Sequence, residues 1–345
     1  MITMAQLLAV TLSHTGNTRR KNEDCFLNGG YVPDHFMLET AGHRGMDHRW
    51  TTTTRQTTCL AVFDGIGDSN PVETASWMAA EALKSEISRL ALLPLPYVDA
   101  LMQRYVIHIN ERIGQEAQND RALAGMGTTF ACLCLRGNQA VVYNLGNCRA
   151  FYYRHMQLKP LTDDHLADAT HIASRSLQYL GMPAPDRTLT CETTGIFTLQ
   201  DQDCFLLCST SLTHSIDEST IRSCLTLADP QQAAAQLITN ALEHGGQNSI
   251  TVTVARWTET EQPYQNPVAD TAKLSHTHPA NPRIEHQQQV FDIPVVKPKI
   301  SPESYKISPI NFWQNIPFWL QVLSLIGLLG LLLMLTWLLY PNLFG

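Results

Sequence analysis

The chain has 345 residues, of which 44% are hydrophobic and 16% charged, and its 31 acids and 24 bases give a net charge of −7. That length suits one large or two ordinary domains. The acidic balance lacks the basic face of a nucleic-acid binder, so nucleic acid is excluded as a partner. All nine cysteines fall before residue 225, none makes a C-x-x-C pair, and their number is odd. The opening residues MITMAQLLAVTLS carry no basic group ahead of their short apolar stretch. Neither a signal peptide nor a disulfide framework is expected, and the domain is assigned to a reducing compartment.

In chain order, short runs of β-forming residues recur at Cys59–Phe63, Thr129–Leu135, Gln139–Asn144, Ala150–Tyr153, Cys204–Cys208 and Ile250–Ala255. Gly, Asn or Asp bound them, as in an antiparallel or mixed sheet. Two amphipathic helices are predicted between the first two runs. One starts near Glu73 and lines up Ala79, Leu83, Ile87 and Leu90. The other follows Pro94-Leu95-Pro96 and lines up Val98, Leu101, Tyr105, Ile109 and Ile113. A third helix has Asp229 as its cap, Pro230 at its first position and Gly245-Gly246 as its stop. Strands, then an adjacent helix pair, then strands again indicate an α+β layered domain over residues 1–257.

Residues 258–312 read as a Pro-rich flexible linker, since eight of the eighteen prolines lie between Pro263 and Pro309. Residues 313–341 read as a C-terminal transmembrane anchor. Val322–Tyr340 is nineteen residues without a charge, about 28 Å as a helix and close to the hydrocarbon thickness. Trp313, Trp319, Trp337 and Tyr340 flank it as interfacial aromatics do. Lys297, Lys299 and Lys306 precede it and no Lys or Arg follows, which predicts a cytoplasmic domain on a single-pass tail anchor.

Polar clusters sit at strand ends. Gly16 to Asp24 reads GNTRRKNED, and Leu60 to Gly67 reads LAVFDGIG. A strand ending in Asp64-Gly65 offers a carboxylate and an approachable carbonyl, both ligands for hard cations, although an Asp-Gly pair alone marks a turn. Further along come Gly127-Thr128-Thr129, the run GNCRAF from Gly146 to Phe151, LTDDH from Leu161 to His165, Leu180-Gly181, DCFLLCSTS from Asp203 to Ser211, and GGQNSITV from Gly245 to Val252.

In this order and at these spacings the chain resembles the bacterial PPM family of metal-dependent protein phosphatases (protein phosphatase 2C) over about residues 6–257. The resemblance implies two packed, mainly antiparallel β-sheets flanked by helix pairs. It also implies hydrolysis of phosphoserine and phosphothreonine by a pair of Mn²⁺ or Mg²⁺ ions that make hydroxide from a shared water near neutral pH. It places Arg19 at the phosphate-binding arginine, a role its guanidinium fork suits. Glu23 falls at a ligand of the second metal, Asp24 at an acid that holds metal-bound water, Asp64 at the bridging carboxylate and Gly65 at the carbonyl ligand. Ala75-Ser76 matches the start of the following helix.

The sequence departs from that pattern at the metal positions. The family's Ser-Asp-Gly is here Ser209-Thr210-Ser211, its Gly-Gly-x-Asp-Asn is Gly245-Gly246-Gln247-Asn248-Ser249, and its Gly-Asp-Ser-Arg is Gly146-Asn147-Cys148-Arg149. Of four core carboxylates Glu23 and Asp64 remain, while Thr210 and Asn248 are neutral. These ions are held largely by anionic oxygen, so one weak Mn²⁺ or Mg²⁺ site or none is expected. Asp68, Asp163 or Asp203 are the acids that could compensate. Three readings follow: a pseudophosphatase that binds a phosphoprotein or Ser/Thr kinase partner at the membrane face, an active phosphatase with a rearranged metal site, or a scaffold within a membrane complex. The insert Asn28–Thr58 is longer than the family's usual strand connection and has no assigned role, and the segment between His165 and Leu180 is short.

Overall fold

The computed structural model describes residues 2–40, 45–67, 72–163, 178–182 and 189–262. The chain divides into two units, Met1–Val296 and Lys297–Gly345, and all of the second lies outside the described residues. So do Asp68, the segment 164–177, the linker beyond Gln262 and the apolar stretch Val322–Tyr340. Among the described residues no helix is long and apolar enough to cross a membrane.

The elements in order are β1 (Ile2–His14), β2 (Asp24–Asn28), α1 (His35–Thr40), β3 (Met46–Thr53), β4 (Thr58–Ile66), α2 (Val72–Ser85), α3 (Ile87–Leu92) and α4 (Val98–Asn119). They continue with β5 (Gly127–Arg136), β6 (Gln139–Leu145), β7 (Arg149–Arg154), β8 (Gln157–Pro160), β9 (Glu192–Thr193), β10 (Phe197–Thr198) and β11 (Cys204–Cys208). Helices α5 (Thr210–Ser215), α6 (Glu218–Leu225) and α7 (Pro230–Glu243) precede the last strand, β12 (Ile250–Gln262). One sheet runs β3-β1-β12-β11-β7-β8 and the other β10-β6-β5-β4-β2, with β9 added to β6. The pairings between these strands are antiparallel. The α+β architecture of two antiparallel sheets is therefore as expected.

The period-two alternation of the strands sorts their side chains into three cores. From β4 and β5, Cys59, Ala61, Phe63, Phe130 and Cys132 point to one core with α2 and α4. Their neighbours Leu60, Val62, Ala131 and Leu133 face the other sheet, where they meet Leu7, Ala9, Phe205 and Trp257. Val10, Leu12, Val252 and Val254 face α5, α6 and α7. The result is a helix–sheet–sheet–helix sandwich.

The same alternation makes the space between the sheets change character along its length. Trp257, Leu7 and Ala9 fill one end, whereas Thr11, Ser13, Thr251 and Thr253 occupy the equivalent inward positions further on. These hydroxyls are fully or almost fully buried and pair across the strands, Thr11 with Thr253 at 2.8 Å and Ser13 with Thr251 at 2.6 Å. A buried polar group needs such a partner. Strand pairing carries Asn22, Asp24 and Asp64 to this polar end.

Several expectations need correction. The first predicted helix is two helices, α2 and α3. The backbone turns at Glu86, whose N–H bonds to the Leu83 carbonyl at 3.1 Å, three residues back rather than four. The apolar stripe runs across the break, since Leu83 and Leu90 share one core with Ile87 packed against it, so spacing alone could not reveal it. The last strand runs through Gln262, past the domain boundary expected at residue 257, because β1 pairs with it back to Ile2. The insert Asn28–Thr58 contains α1 and β3, and β3 extends the first sheet beside β1. Helix α7 follows its signals: Asp229 accepts from the Gln231 N–H, Pro230 starts it, and Gly245 takes φ +91° after its end.

Asp203, a candidate metal ligand by sequence, is tied up elsewhere. It is 1% exposed at the start of β11, away from the Ser209 end, and Arg154 grips both its oxygens at 2.7 and 2.6 Å. Its Oδ2 also accepts the Gln200 N–H at 2.7 Å. Removing one partner of a buried ion pair strands the other. Arg154→Met is therefore expected to lower stability by about 3 kcal/mol, read as a lower urea midpoint at unchanged slope. An unchanged midpoint would show that the pair is energetically idle.

Candidate metal centre

The site is assembled by one strand pairing and one loop pairing. Asp24 lies directly opposite Asp64 in the β2–β4 ladder. Glu23, one residue before β2, has its carbonyl bonded by the Gly65 N–H at 3.2 Å and by the Ser76 hydroxyl at 2.7 Å. Its own N–H donates to the Ser249 hydroxyl at 2.9 Å. A Cβ on Gly65 would stand 2.5 Å from the Glu23 carbonyl oxygen, so only glycine permits this approach.

The loop pairing places the arginine. Asn17 N–H bonds to the Gly246 carbonyl at 2.8 Å and Thr18 N–H to the Gln247 carbonyl at 3.1 Å. Gly16, at φ +76°, lies so near Asn248 that a Cβ there would collide with its carbonyl oxygen. These contacts hold Arg19 beside Asn248. Arg19 Nε donates to Asn248 Oδ1 at 3.2 Å, and Nη1 pairs with Glu23 at 3.1 Å. The arginine side chain keeps 46% exposure, while Glu23 keeps 16%.

Three carboxyls gather here, and among the described residues Glu23 alone of them has an ion-pair partner, Arg19. Burial, above all, pushes Glu23 above the ordinary carboxylate range; Arg19 opposes the shift and the charges of Asp64 and Glu73 add to it. Asp24 is fully buried and held well above that range, first by burial and then by the charge of Asp64. Neither of its oxygens has a hydrogen-bond partner, and the nearby Ser209 and Thr251 hydroxyls offset the shift only in part. Asp64 is raised by burial against the Thr210 N–H, which donates to its Oδ2 at 3.0 Å. Buried acids with unsatisfied oxygens are the donor set of a hard divalent cation. Glu23, Asp64 and the Gly65 carbonyl, with Asp24 behind them, are the groups that would hold one such ion, although His35, Glu39 and Glu73 are the acids and histidine whose donor atoms lie within 4.8 Å of one another.

The remaining sequence candidates do not extend this set of acids. Thr210 is 8% exposed and its hydroxyl donates to the Asn147 carbonyl at 3.2 Å. The Asn147 side-chain oxygen accepts from the Thr129 hydroxyl at 3.1 Å. Asn248 is exposed and engaged by Arg19. Asp163 is exposed, and its carbonyl accepts from Asn144 at 3.4 Å. The structure adds residues that sequence reasoning had not assigned. Lys21 donates to Glu73 at 2.6 Å, holding a glutamate that is 1% exposed. Ser13, Ser209 and Thr251 form the polar floor, with Asn22 Nδ2 donating to Ser13 at 2.8 Å and the Thr251 N–H to Ser209 at 3.0 Å. Their signal in the sequence is small hydroxyl residues at inward positions of otherwise apolar strands.

Acids gathered at the polar end of a two-sheet sandwich point to the class of metal-dependent phosphatase domains, and the comparisons agree on that class. A family model described as protein phosphatase 2C matches residues 42–210. Serine/threonine phosphatase stp of Listeria welshimeri is 27% identical over 208 residues, covering 56% of this chain and 82% of its own. The structure of PppA, a key regulatory component of T6SS in Pseudomonas aeruginosa, superposes with a TM-score of 0.59 at 25% identity, over 74% of this chain and 100% of that one. The catalytic domain of the serine threonine protein phosphatase PstP, in complex with 2 manganese ions, shares the fold with a TM-score of 0.55 at 23% identity, over 73% of this chain and 99% of that one. The family model, the curated relatives and the solved structures together support a PP2C-like (PPM) serine/threonine phosphatase domain of signalling in this chain, and PPM phosphatases use Mn²⁺ or Mg²⁺.

The buried acid has a measurable consequence in chelator. An unfolded aspartate titrates near its ordinary value of about 3.9, and folded Asp24 binds its proton more tightly. Its contribution to stability is full below the unfolded value and is lost as pH rises through the folded one. The stability advantage of Asp24→Asn over the unmodified chain is therefore expected to widen with rising pH, measured by denaturation in EDTA. A gap that stays flat would show that Asp24 is ionised in the fold.

Proposed function

We propose that this is a membrane-anchored PPM-type domain with impaired catalysis, a pseudophosphatase that binds a phosphoprotein or a Ser/Thr kinase partner. The observation that carries the reading is the chemistry at Thr210 and Asn248. Where the resemblance puts metal-binding carboxylates, the chain has a neutral hydroxyl turned to the Asn147 carbonyl and a neutral amide held by Arg19. Neither replaces an anionic ligand for a second hard cation. A single ion held by Glu23, Asp64 and the Gly65 carbonyl would neutralise charge on a phosphoryl group.

Ligand recognition rests on residues the chain keeps. Arg19 presents part of its guanidinium to solvent beside the acidic cluster, and its planar fork suits a phosphate. Ser249, Ser76 and the Gly65 N–H fix the Glu23 backbone, and the loop pairing fixes Arg19, so both groups are positioned before any ligand arrives. The apolar stretch Val322–Tyr340 and the lysines before it support a C-terminal anchor with the domain in the cytoplasm. Protease added to intact vesicles whose cytoplasmic face is sealed inside should then leave the domain uncut, and cleavage would reverse the topology.

The catalytic test is release of phosphate from p-nitrophenyl phosphate and a phosphothreonine peptide by residues 1–262 with Mn²⁺. The expected result is no release above an Asp64→Asn control, with release gained by Thr210→Asp/Asn248→Asp. Binding of the phosphopeptide should fall tenfold or more in Arg19→Ala, about 1.4 kcal/mol, and manganese titration should fill at most one site. Release that Asp64→Asn abolishes, or two filled manganese sites, would instead establish an active phosphatase with a rearranged metal site.

A further inference from the structure

The nine cysteines are free and buried, and three of them converge. Cys59 on β4 lies directly opposite Cys134 on β5, and their sulfurs are 2.7 Å apart. Cys132, two residues along β5 on the same face, has its sulfur 3.8 Å from that of Cys134. The three sulfurs lie within 4.8 Å of one another. This cluster sits on the helix-facing side of the second sheet and has no part in the acidic site.

The cluster has a way in. A cavity of about 370 Å³ opens between the β3–β4 turn and α3, lined by Gly30, Trp50, Arg55, Thr57, Leu90 and Cys59 itself. Cys59 is 4% exposed, whereas Cys132 and Cys134 are fully enclosed. Arg136, the next residue on that face of β5 after Cys134, donates to the Leu93 carbonyl at 3.1 Å and the Ala91 carbonyl at 3.3 Å. The two neighbouring thiols, donating to Cys59, hold it below the ordinary thiol range, while Cys132 and Cys134 are raised above it. A small, uncharged oxidant thus meets the most nucleophilic sulfur first.

We propose that Cys59 and Cys134 form a peroxide-driven cross-strand thiol–disulfide site, with Cys59 the attacking sulfur and Cys134 the resolving one. The Cys59 thiolate attacks one oxygen of hydrogen peroxide. The O–O bond breaks, a sulfenic acid forms, and the departing hydroxide takes a proton to become water. The Cys134 sulfur then attacks the Cys59 sulfur. The S–O bond breaks, a second water leaves with the Cys134 proton, and the disulfide is complete. Two thiols lose two electrons to one peroxide, giving one disulfide and two waters. Residues facing each other across antiparallel strands have Cα atoms about 4.5–5.5 Å apart, inside the range a disulfide spans. Cys132 faces Ala61 rather than Cys59, and two residues of one strand stand about 7 Å apart, which disfavours it as either partner.

The experiment treats the reduced full chain with hydrogen peroxide, removes the peroxide, unfolds the chain in denaturant containing N-ethylmaleimide so that every remaining thiol is alkylated, and maps non-reduced peptides by fragmentation mass spectrometry. The expected product is a Cys59–Cys134 crosslink, two hydrogens lighter than its separate peptides. Both residues should lose alkylation while Cys204, Cys208 and Cys224 keep it. Cys132→Ala should retain the crosslink, and Cys134→Ala should lose it and leave a sulfenic acid on Cys59 that dimedone captures. A crosslink through Cys132 would overturn the proposal, as would full alkylation of Cys59 and Cys134 after peroxide. The unmodified chain alone decides the matter if a variant fails to fold.

Discussion

The carbonyl of Glu23 is received by the Gly65 N–H and the Ser76 hydroxyl, and this junction is what the rest of the site depends on. It ties the residue before β2 to the end of β4 and to the first turns of α2. Because of it, Glu23 stands next to Asp64 and Asp24 faces Asp64, although forty residues separate the two strands' acids along the chain. The junction tolerates no side chain at residue 65. Three acids are thereby forced into a space whose walls are apolar on one side and lined with hydroxyls on the other.

That crowding has an electrostatic cost which the protein meets only in part. Arg19 offsets the charge of Glu23, and the Thr210 N–H offsets that of Asp64, but Asp24 has neither hydrogen-bond partner nor adjacent cation. A buried acid of this kind shifts its titration and keeps its proton unless a cation joins it. Nearby, Lys21 covers Glu73 with a direct ion pair, so the fold is able to neutralise an acid where it has no other task. Glu73 also lies within 4.8 Å of His35 and Glu39, so a second group of hard-cation donors stands beside the inner cluster.

The sequence made the strands and the order of the site motifs legible because apolar alternation and Gly or Asp punctuation are local properties. Six strand runs and the caps of α7 could be read in this way. Strand β1 is not legible in the sequence, since its run of Leu, Ala and Val is as compatible with a helix; its thirteen-residue pairing with β12 decides its conformation. The break at Glu86 was invisible because the apolar stripe does not register a turn that keeps its phase. At the site, the residue identities at 210 and 248 were plain, but their partners were not. The contact between Arg19 and Asn248 joins residues 229 positions apart and follows from backbone bonds between two loops. Asp203 could be excluded as a ligand only once its grip by Arg154 was seen.

The strand contributed by the insert has a bearing on solubility. A sheet edge exposes unpaired N–H and C=O groups that invite pairing with another chain. Without β3, the thirteen-residue β1 would present such an edge along the length now paired from Gln6 to Ser13. β3 takes the outer position in its place and carries Asp47, His48 and Arg49 in succession. Charged side chains on an outer strand discourage a second molecule from adding to it. The insert therefore acts as a guard on the first sheet, keeping the long β1–β12 ribbon from becoming a seed for intermolecular β-structure.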